Sequence, residues 1–237
     1  MGVELRQGYG LTETSPVISV NRENCNNPVT VGQPIPGLQI RLGDMEELQV
    51  KGPTVMKGYW KRPDATAEVF TEDGWFRTGD QADLSDAGRI RIKGRIKEII
   101  VTSTGEKIPP TDMELAIQTD PLFEQVMVVG EARPFITALA VVNEAEWEKF
   151  AKEFNVDPTD ERMLMRRDIR MAALKRLKKA ASRFPQYGIP RNIRLLKEHW
   201  TVDNGCLTVT MKLRRPIIRE KLRAEIDELY TVPQNNV

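Results

Sequence analysis

The sequence predicts an α/β (α+β) protein: a small twisted β-rich subdomain over residues 1–96, then a compact C-terminal α/β domain over 97–237 with a short mixed sheet and flanking helices. Three features carry this expectation. Between residues 31 and 93, apolar and polar residues alternate in short runs punctuated by Gly, Pro and Asp, as half-buried antiparallel strands require. Beyond Gly94, "QVMVVG" and "ITALAVV" are continuously apolar at strand length, which fits strands covered on both faces. Around them run longer segments with apolar residues every three or four positions, the period of a helix packed on one side.

Taken in order, the chain opens with "RQGYGLTETSP", residues 6–16. On local grounds this is a turn between apolar runs, with two glycines for unusual backbone angles. The same ring, hydroxyl and carboxylate around glycines could also hold a flat base, a phosphate and a metal ion. The runs "LQIRL", "EELQVKG" and "RIRIKG" are strands, and "RPDATAEVF" is a short helix entered at Pro63. "GWFRTGD" falls between strands, with Gly79-Asp80 expected at a tight turn. "EIIVTSTG" is a buried strand ending in a polar loop, and "TDMELAIQT" a helix with Thr111 and Glu114 in capping-box spacing. One long helical stretch is expected over about 144–184, with Ile169, Ala173, Leu177, Ala180 and Phe184 on its apolar stripe. "IRLL" is a further strand. A final helix begins near Pro216 and aligns Leu222, Ile226 and Leu229, and the terminal "VPQNNV" is expected to be disordered.

Composition removes several function classes. Of 237 residues, 40% are hydrophobic and 29% charged, and the formal net charge of +1 gives no global electrostatic case for nucleic acid or an anionic membrane. The basic run "RRDIRMAALKRLKKAASR" has no interleaved aromatics for base stacking and reads as a solvated helix face. Cys25 and Cys206 form no metal-ligand spacing and fit a reducing compartment. With no bilayer-length apolar run and no signal-peptide pattern, the expected setting is the cytoplasm, with peripheral attachment to a membrane left open. Met1-Gly2 leads almost at once into the glycine-rich segment, as though the chain began in the middle of a site.

Three segments could carry chemistry. Asp80 is either a turn former or a carboxylate that accepts from a ribose diol. "TSTGEK" lacks the spacing of a Walker phosphate loop, so that site is rejected. Arg95 and Lys97 stand at the junction of the two parts, either simply solvated or as a hinge. In "NGCLTVTMKLRR", Lys212 follows a glycine-containing loop, where a lysine is usually only solvated but could meet developing phosphate charge.

The order of the motifs is more telling than any one of them. "YGLTETSP", then "GYW…ATAEVF…DGWFRTGD", then "GRIKEIIVTSTGEKIPPTDME", then "LTVTMKLRR" resembles the closing motifs of the AMP-forming acyl-CoA synthetase (adenylate-forming) superfamily. The match runs from residue 6 to about residue 220, and "VTSTGEKIPP" with "DPLFEQVMVVGEARPFITALAVV" looks most like the long-chain fatty-acid–CoA ligase branch. Val209 replaces the proline frequent in that branch, and "RLGDMEELQV" lacks its usual glycine before Glu-Leu.

The resemblance implies an enzyme that activates a long-chain fatty acid with ATP and passes it to coenzyme A, with magnesium as metal. Residues 1–96 would be the end of the large N-terminal domain, and 97–237 the mobile C-terminal domain. Tyr9 would stack on adenine, Gly8 and Gly10 would let the backbone approach the nucleotide, and Thr12 would bond the α-phosphate. Glu13 would bind Mg²⁺, and Asp80 and Arg95 would hold the ribose. Lys97 would be the hinge, Gly105 would line the pantetheine channel, and Lys212 would reach the α-phosphate during adenylation. No T-T-G-x-P-K phosphate loop occurs in these residues, so the chain is expected to be a carboxy-terminal part, inactive without its upstream portion. Two other readings remain: a fatty-acyl-AMP ligase or adenylation module that loads a carrier protein, and a non-catalytic binding relic.

Overall fold

The computed structural model describes residues 4–231; the terminal "VPQNNV" lies outside the described residues. The chain divides into two compact units, Met1–Ile99 and Ile100–Val237.

In the first unit, β1 (Gly8–Tyr9), β2 (Ser19–Val20) and β3 (Gln33–Pro34) form a small antiparallel sheet. A four-stranded antiparallel sheet follows in the order β4 (Gln39–Leu42), β5 (Glu47–Lys51), β6 (Phe76–Asp86) and β7 (Arg89–Arg95). Between β5 and β6 lies the short helix α1 (Pro63–Glu68), whose first residue is the expected proline. Ile18, Val31, Leu38, Leu48, Val50, Ala82 and Ile90 pack together as the core of this unit.

Gly79-Asp80 is not a tight turn. Both residues lie inside β6, where Gln49 pairs with Arg77 but Glu47 pairs with Gln81. The extra residues bulge out of the ladder, and Gly79 takes φ +72 to allow it. A glycine-aspartate pair therefore marks a bulge that re-aims a side chain rather than a reversal of the chain.

In the second unit, β8 (Ile100–Val101) pairs with β9 (Lys107–Ile108), and the helix α2 (Pro110–Ile117) follows. The strand expected in "EIIVTSTG" is thus only two residues long, because a 3-10 turn occupies Ile96–Glu98 before it. The main sheet is mixed: β10 (Phe123–Val129) runs antiparallel to β11 (Thr137–Val142), and β12 (Asn192–Leu196) runs parallel to β11. Every residue of β11 is buried. Val126, Val128, Ala138 and Ala140 face a cluster with Trp147 and Phe150 of α3 (Glu144–Glu153) and Ile169, Ala173 and Leu177 of α4 (Arg167–Ala180). Met127, Val129, Leu139 and Val141 face the other way, onto Leu207, Ile218 of α5 (Arg215–Lys221) and Ile226 and Leu229 of α6 (Arg223–Thr231). Two-sided burial is what removed the polar alternation from these strands.

Three helical expectations are corrected. The stretch over 144–184 is two helices: Asn155 adopts φ +51, the Asp157 carboxylate accepts from the Thr159 N–H at 2.8 Å, and Trp147 Nε1 donates to the Pro158 carbonyl at 2.9 Å. A local turn held by Asp157 outcompetes helix continuation there. The final helix breaks at Leu222 into α5 and α6. Finally, α2 starts with Pro110 behind Pro109, so Thr111 is already inside the helix and forms no cap. Glu114 turns inward instead.

Candidate nucleotide-binding site

The segment "YGLTET" folds tightly because Thr14 satisfies its backbone. The buried Thr14 hydroxyl accepts from the Leu11 N–H at 3.0 Å and donates to the Leu11 carbonyl at 2.9 Å, closing a 3-10 turn over Thr12–Thr14. Gly10 is obligatory: a Cβ there would lie 1.7 Å from the Pro16 carbonyl oxygen. Thr14 faces inward and Thr12 remains exposed.

Tyr9, Asp80 and Arg95 come together. The Tyr9 hydroxyl donates to Asp80 Oδ2, and Arg95 Nε lies 2.9 Å from Asp80 Oδ1. Asp80 and Arg95 are register partners across β6 and β7, so the pairing follows directly from strand register. The β6 bulge turns the Asp80 carboxylate toward Tyr9. Thr78 braces it from behind, accepting from the Asp80 N–H at 3.1 Å and donating to the Leu48 carbonyl at 2.7 Å. The Asp80 side chain is only 6% exposed, whereas that of Arg95 is 45% exposed and keeps donors toward solvent. The only sequence signal for Thr78 is its place in "RTGD", two residues before the carboxylate.

Burial, and then the neighbouring Asp80 charge, push the Tyr9 phenol far above its ordinary value. The consequence for stability has a definite sign. The unfolded phenol loses its proton near pH 10 while the folded one keeps it, so this contribution is complete below about pH 10 and is lost as pH rises beyond it. Tyr9→Phe is expected to flatten that alkaline loss, read as the difference in urea midpoint between about pH 8 and about pH 10.5.

Glu13 is held at both ends of the residue. Its carbonyl accepts from the Met56 N–H at 2.8 Å, and its Oε1 accepts from the Tyr59 hydroxyl at 2.9 Å. Tyr59 in turn is set by its own N–H donating to Thr66 Oγ1 of α1 at 2.9 Å. Nothing in the spacing of the "GYW" stretch points Tyr59 back to Glu13, so this contact is visible only in the fold. Among the described residues no three His, Cys, Asp or Glu side chains gather as a metal cage. A single carboxylate still suits Mg²⁺, which keeps waters and takes further oxygens from substrate phosphates.

The remaining candidates occupy separate places. Lys97 is exposed in the 3-10 turn Ile96–Glu98 that ends the first unit. Gly105, in the second unit, sits at φ +86 in a turn where its N–H donates to the Thr102 carbonyl at 3.0 Å. Lys212, also in the second unit, is exposed on a small hairpin closed by a bridge between Leu207 and Leu213. Val209 is 86% exposed on that hairpin, so the missing proline leaves no packing defect. No helix among the described residues is long and apolar enough to cross a membrane.

Comparison with known proteins matches residues 1–60 to the AMP-binding enzyme family and residues 97–233 to the AMP-binding enzyme C-terminal domain. The chain is 37% identical to the long-chain-fatty-acid–CoA ligase FadD15 of Mycobacterium bovis, covering 97% of this chain and 38% of that protein. It is 33% identical to the long-chain-fatty-acid–[acyl-carrier-protein] ligase AEE15 of Arabidopsis thaliana, over 98% of this chain and 33% of that protein. The chain therefore spans well under half the length of these relatives. Among solved structures, the A domain of a carboxylic acid reductase from Segniliparus rugosus, in complex with AMP and a co-purified carboxylic acid, aligns with a TM-score of 0.74 at 27% identity. That alignment covers 96% of this chain and 35% of the other. With two consecutive family models accounting for most of its residues, the chain belongs to the AMP-binding enzyme family.

Proposed function

We propose that the chain is the carboxy-terminal portion of an ATP-dependent long-chain fatty acid–CoA ligase. The observation that carries this reading is the convergence of Tyr9 and Arg95 on the buried Asp80 carboxylate beside the Gly10–Glu13 turn. The chemistry that such a set serves has two steps. A fatty-acid carboxylate oxygen attacks the α-phosphorus of ATP, giving acyl-AMP and releasing pyrophosphate. The thiolate of coenzyme A then attacks the acyl carbon and expels AMP.

In this reading the flat face of Tyr9 stacks on adenine while its hydroxyl, tied to Asp80, fixes the ring. Asp80 accepts from the ribose hydroxyls and Arg95 adds charge-assisted donors. Thr12, exposed at the turn, donates to the α-phosphate. Glu13 is the protein ligand for Mg²⁺, which when bound neutralises phosphate charge. Lys97 is the hinge, Gly105 borders the pantetheine channel, and Lys212 brings its ammonium to the α-phosphate as charge develops. The domain limits proposed with this reading are 1–96 and 97–237.

Palmitate-dependent pyrophosphate release is the test, on this chain alone and on the chain with its upstream coding segment restored. Silence alone and turnover on restoration are expected; turnover by the isolated chain, or none in either form, overturns the reading. The relative that acts on acyl-carrier protein favours a second reading, in which a carrier replaces CoA as acceptor. Transfer of the acyl group from acyl-AMP to free CoA, with release of AMP, in preference to a phosphopantetheinylated carrier decides for the ligase.

A further inference from the structure

Glu114 takes no part in the site above, yet it is buried and fully engaged. Its Oε1 accepts from the Val128 N–H at 2.7 Å and from Arg215 Nη1 at 2.7 Å, and its Oε2 accepts from Arg215 Nη2 at 2.5 Å. The two side chains are 7% and 15% exposed. Donors on both oxygens leave this carboxylate little capacity for a ligand, so its role is internal.

What it holds is the base of the Lys212 hairpin. Arg215 opens α5, three residues after Lys212. The other root is fixed by Cys206 and Leu207, buried against the sheet, and the Arg214 N–H crosses to the Cys206 carbonyl at 2.8 Å. The hairpin is also tied internally. The Thr208 N–H donates to the Lys212 carbonyl at 2.9 Å, and the Lys212 N–H donates to Thr208 Oγ1 at 3.1 Å. A hairpin tied in this way moves largely as one piece, so where the lysine goes depends on how firmly its base is held.

We propose that the Glu114–Arg215 ion pair is a positioning device for Lys212, bolting the hairpin base to α2 and β10. The proposal rests on reading Lys212 as the adenylation lysine. A buried ion pair is a poor choice for stability alone, since well-packed apolar residues of similar volume do as well or better. What the planar guanidinium fork adds is direction, because it meets a carboxylate with both N–H groups in one orientation. Three residues of unanchored chain can span about 10 Å. A misplacement of about 1 Å at a reacting centre can cost about 100-fold in rate.

Removing one partner would strand a buried charge, so the informative variant is the double replacement E114M/R215M, compared with R215K and with K212A. In this chain alone, E114M/R215M should still unfold cooperatively, at a urea midpoint lowered by the buried Val128 N–H that loses its acceptor. The Thr208 and Lys212 amides should exchange at least about tenfold faster than that global loss accounts for. In the enzyme with its upstream segment restored, palmitate-dependent pyrophosphate release should fall about 100-fold in E114M/R215M. Thioester formation from preformed acyl-AMP and CoA should stay within about threefold of the parent. R215K, which keeps the charge and loses the fork, should fall between. Equal loss in both half-reactions, or unchanged pyrophosphate release, would overturn the proposal. Pyrophosphate release retained by K212A would instead overturn the reading of the lysine, a separate failure.

Discussion

Lys212→Ala in the enzyme with its upstream segment restored is expected to lower fatty-acid-dependent pyrophosphate release by about 100- to 1,000-fold, the usual cost of losing one preorganised donor to developing charge. Acyl-AMP supplied together with CoA should still yield thioester. The asymmetry follows from where charge appears. Attack of the carboxylate piles negative charge on the phosphates and calls for a cation, whereas the second step loses AMP from an already activated acyl group. Lys212 is exposed and its side chain packs into neither core cluster, so the variant should fold as the parent does, with a stability change of at most about 0.5 kcal/mol. Measuring the two half-reactions separately checks this. Undiminished pyrophosphate release would remove Lys212 from the mechanism.

Asp80→Ala should have the second largest effect, and two readouts register it independently. In this chain alone, the substitution strips the Tyr9 hydroxyl of its acceptor and Arg95 of its partner. An unsatisfied, largely buried hydroxyl costs about 1–3 kcal/mol, visible as a lower urea midpoint. The Tyr9 phenol should also titrate at lower pH than in the parent, though still above its ordinary value, because burial is the larger cause of its shift and remains. In the enzyme with its upstream segment restored, AMP affinity should fall about 100-fold, the equivalent of about 2.8 kcal/mol and of one or two charge-assisted hydrogen bonds to the ribose. Unchanged AMP affinity in a destabilised variant would make Asp80 an internal brace for Tyr9 and nothing more.

Much of the fold was legible because one-dimensional patterns are physical consequences of burial. The alternating runs became β4, β5 and β7, and the continuous apolar runs became β10 and β11, buried on both faces. Illegible were the places where a local signal competes with a distant partner. Glu114 carries the spacing of a helix cap but spends its carboxylate on Arg215, 101 residues away. Gly79-Asp80 has the composition of a turn but lies in a strand, since only the β5 and β7 ladders on either side decide that the chain runs on. Asn155 and Asp157 interrupt a helix whose apolar period continues on both sides, and the Trp147 bond to Pro158 fixes that break.

By itself the sequence determined the class of the fold, the ordered set of motifs and the residue types available for nucleotide chemistry, because periodicity, turn chemistry and side-chain chemistry are properties of the chain alone. Only the tertiary structure decided which of those residues share an atom-to-atom contact. Tyr9 and Asp80 lie 71 positions apart, and Tyr59 reaches Glu13 across 46. A hydrogen bond needs its donor within about 3 Å of its acceptor, and strand register, bulges and loop anchoring set that distance where spacing along the chain does not.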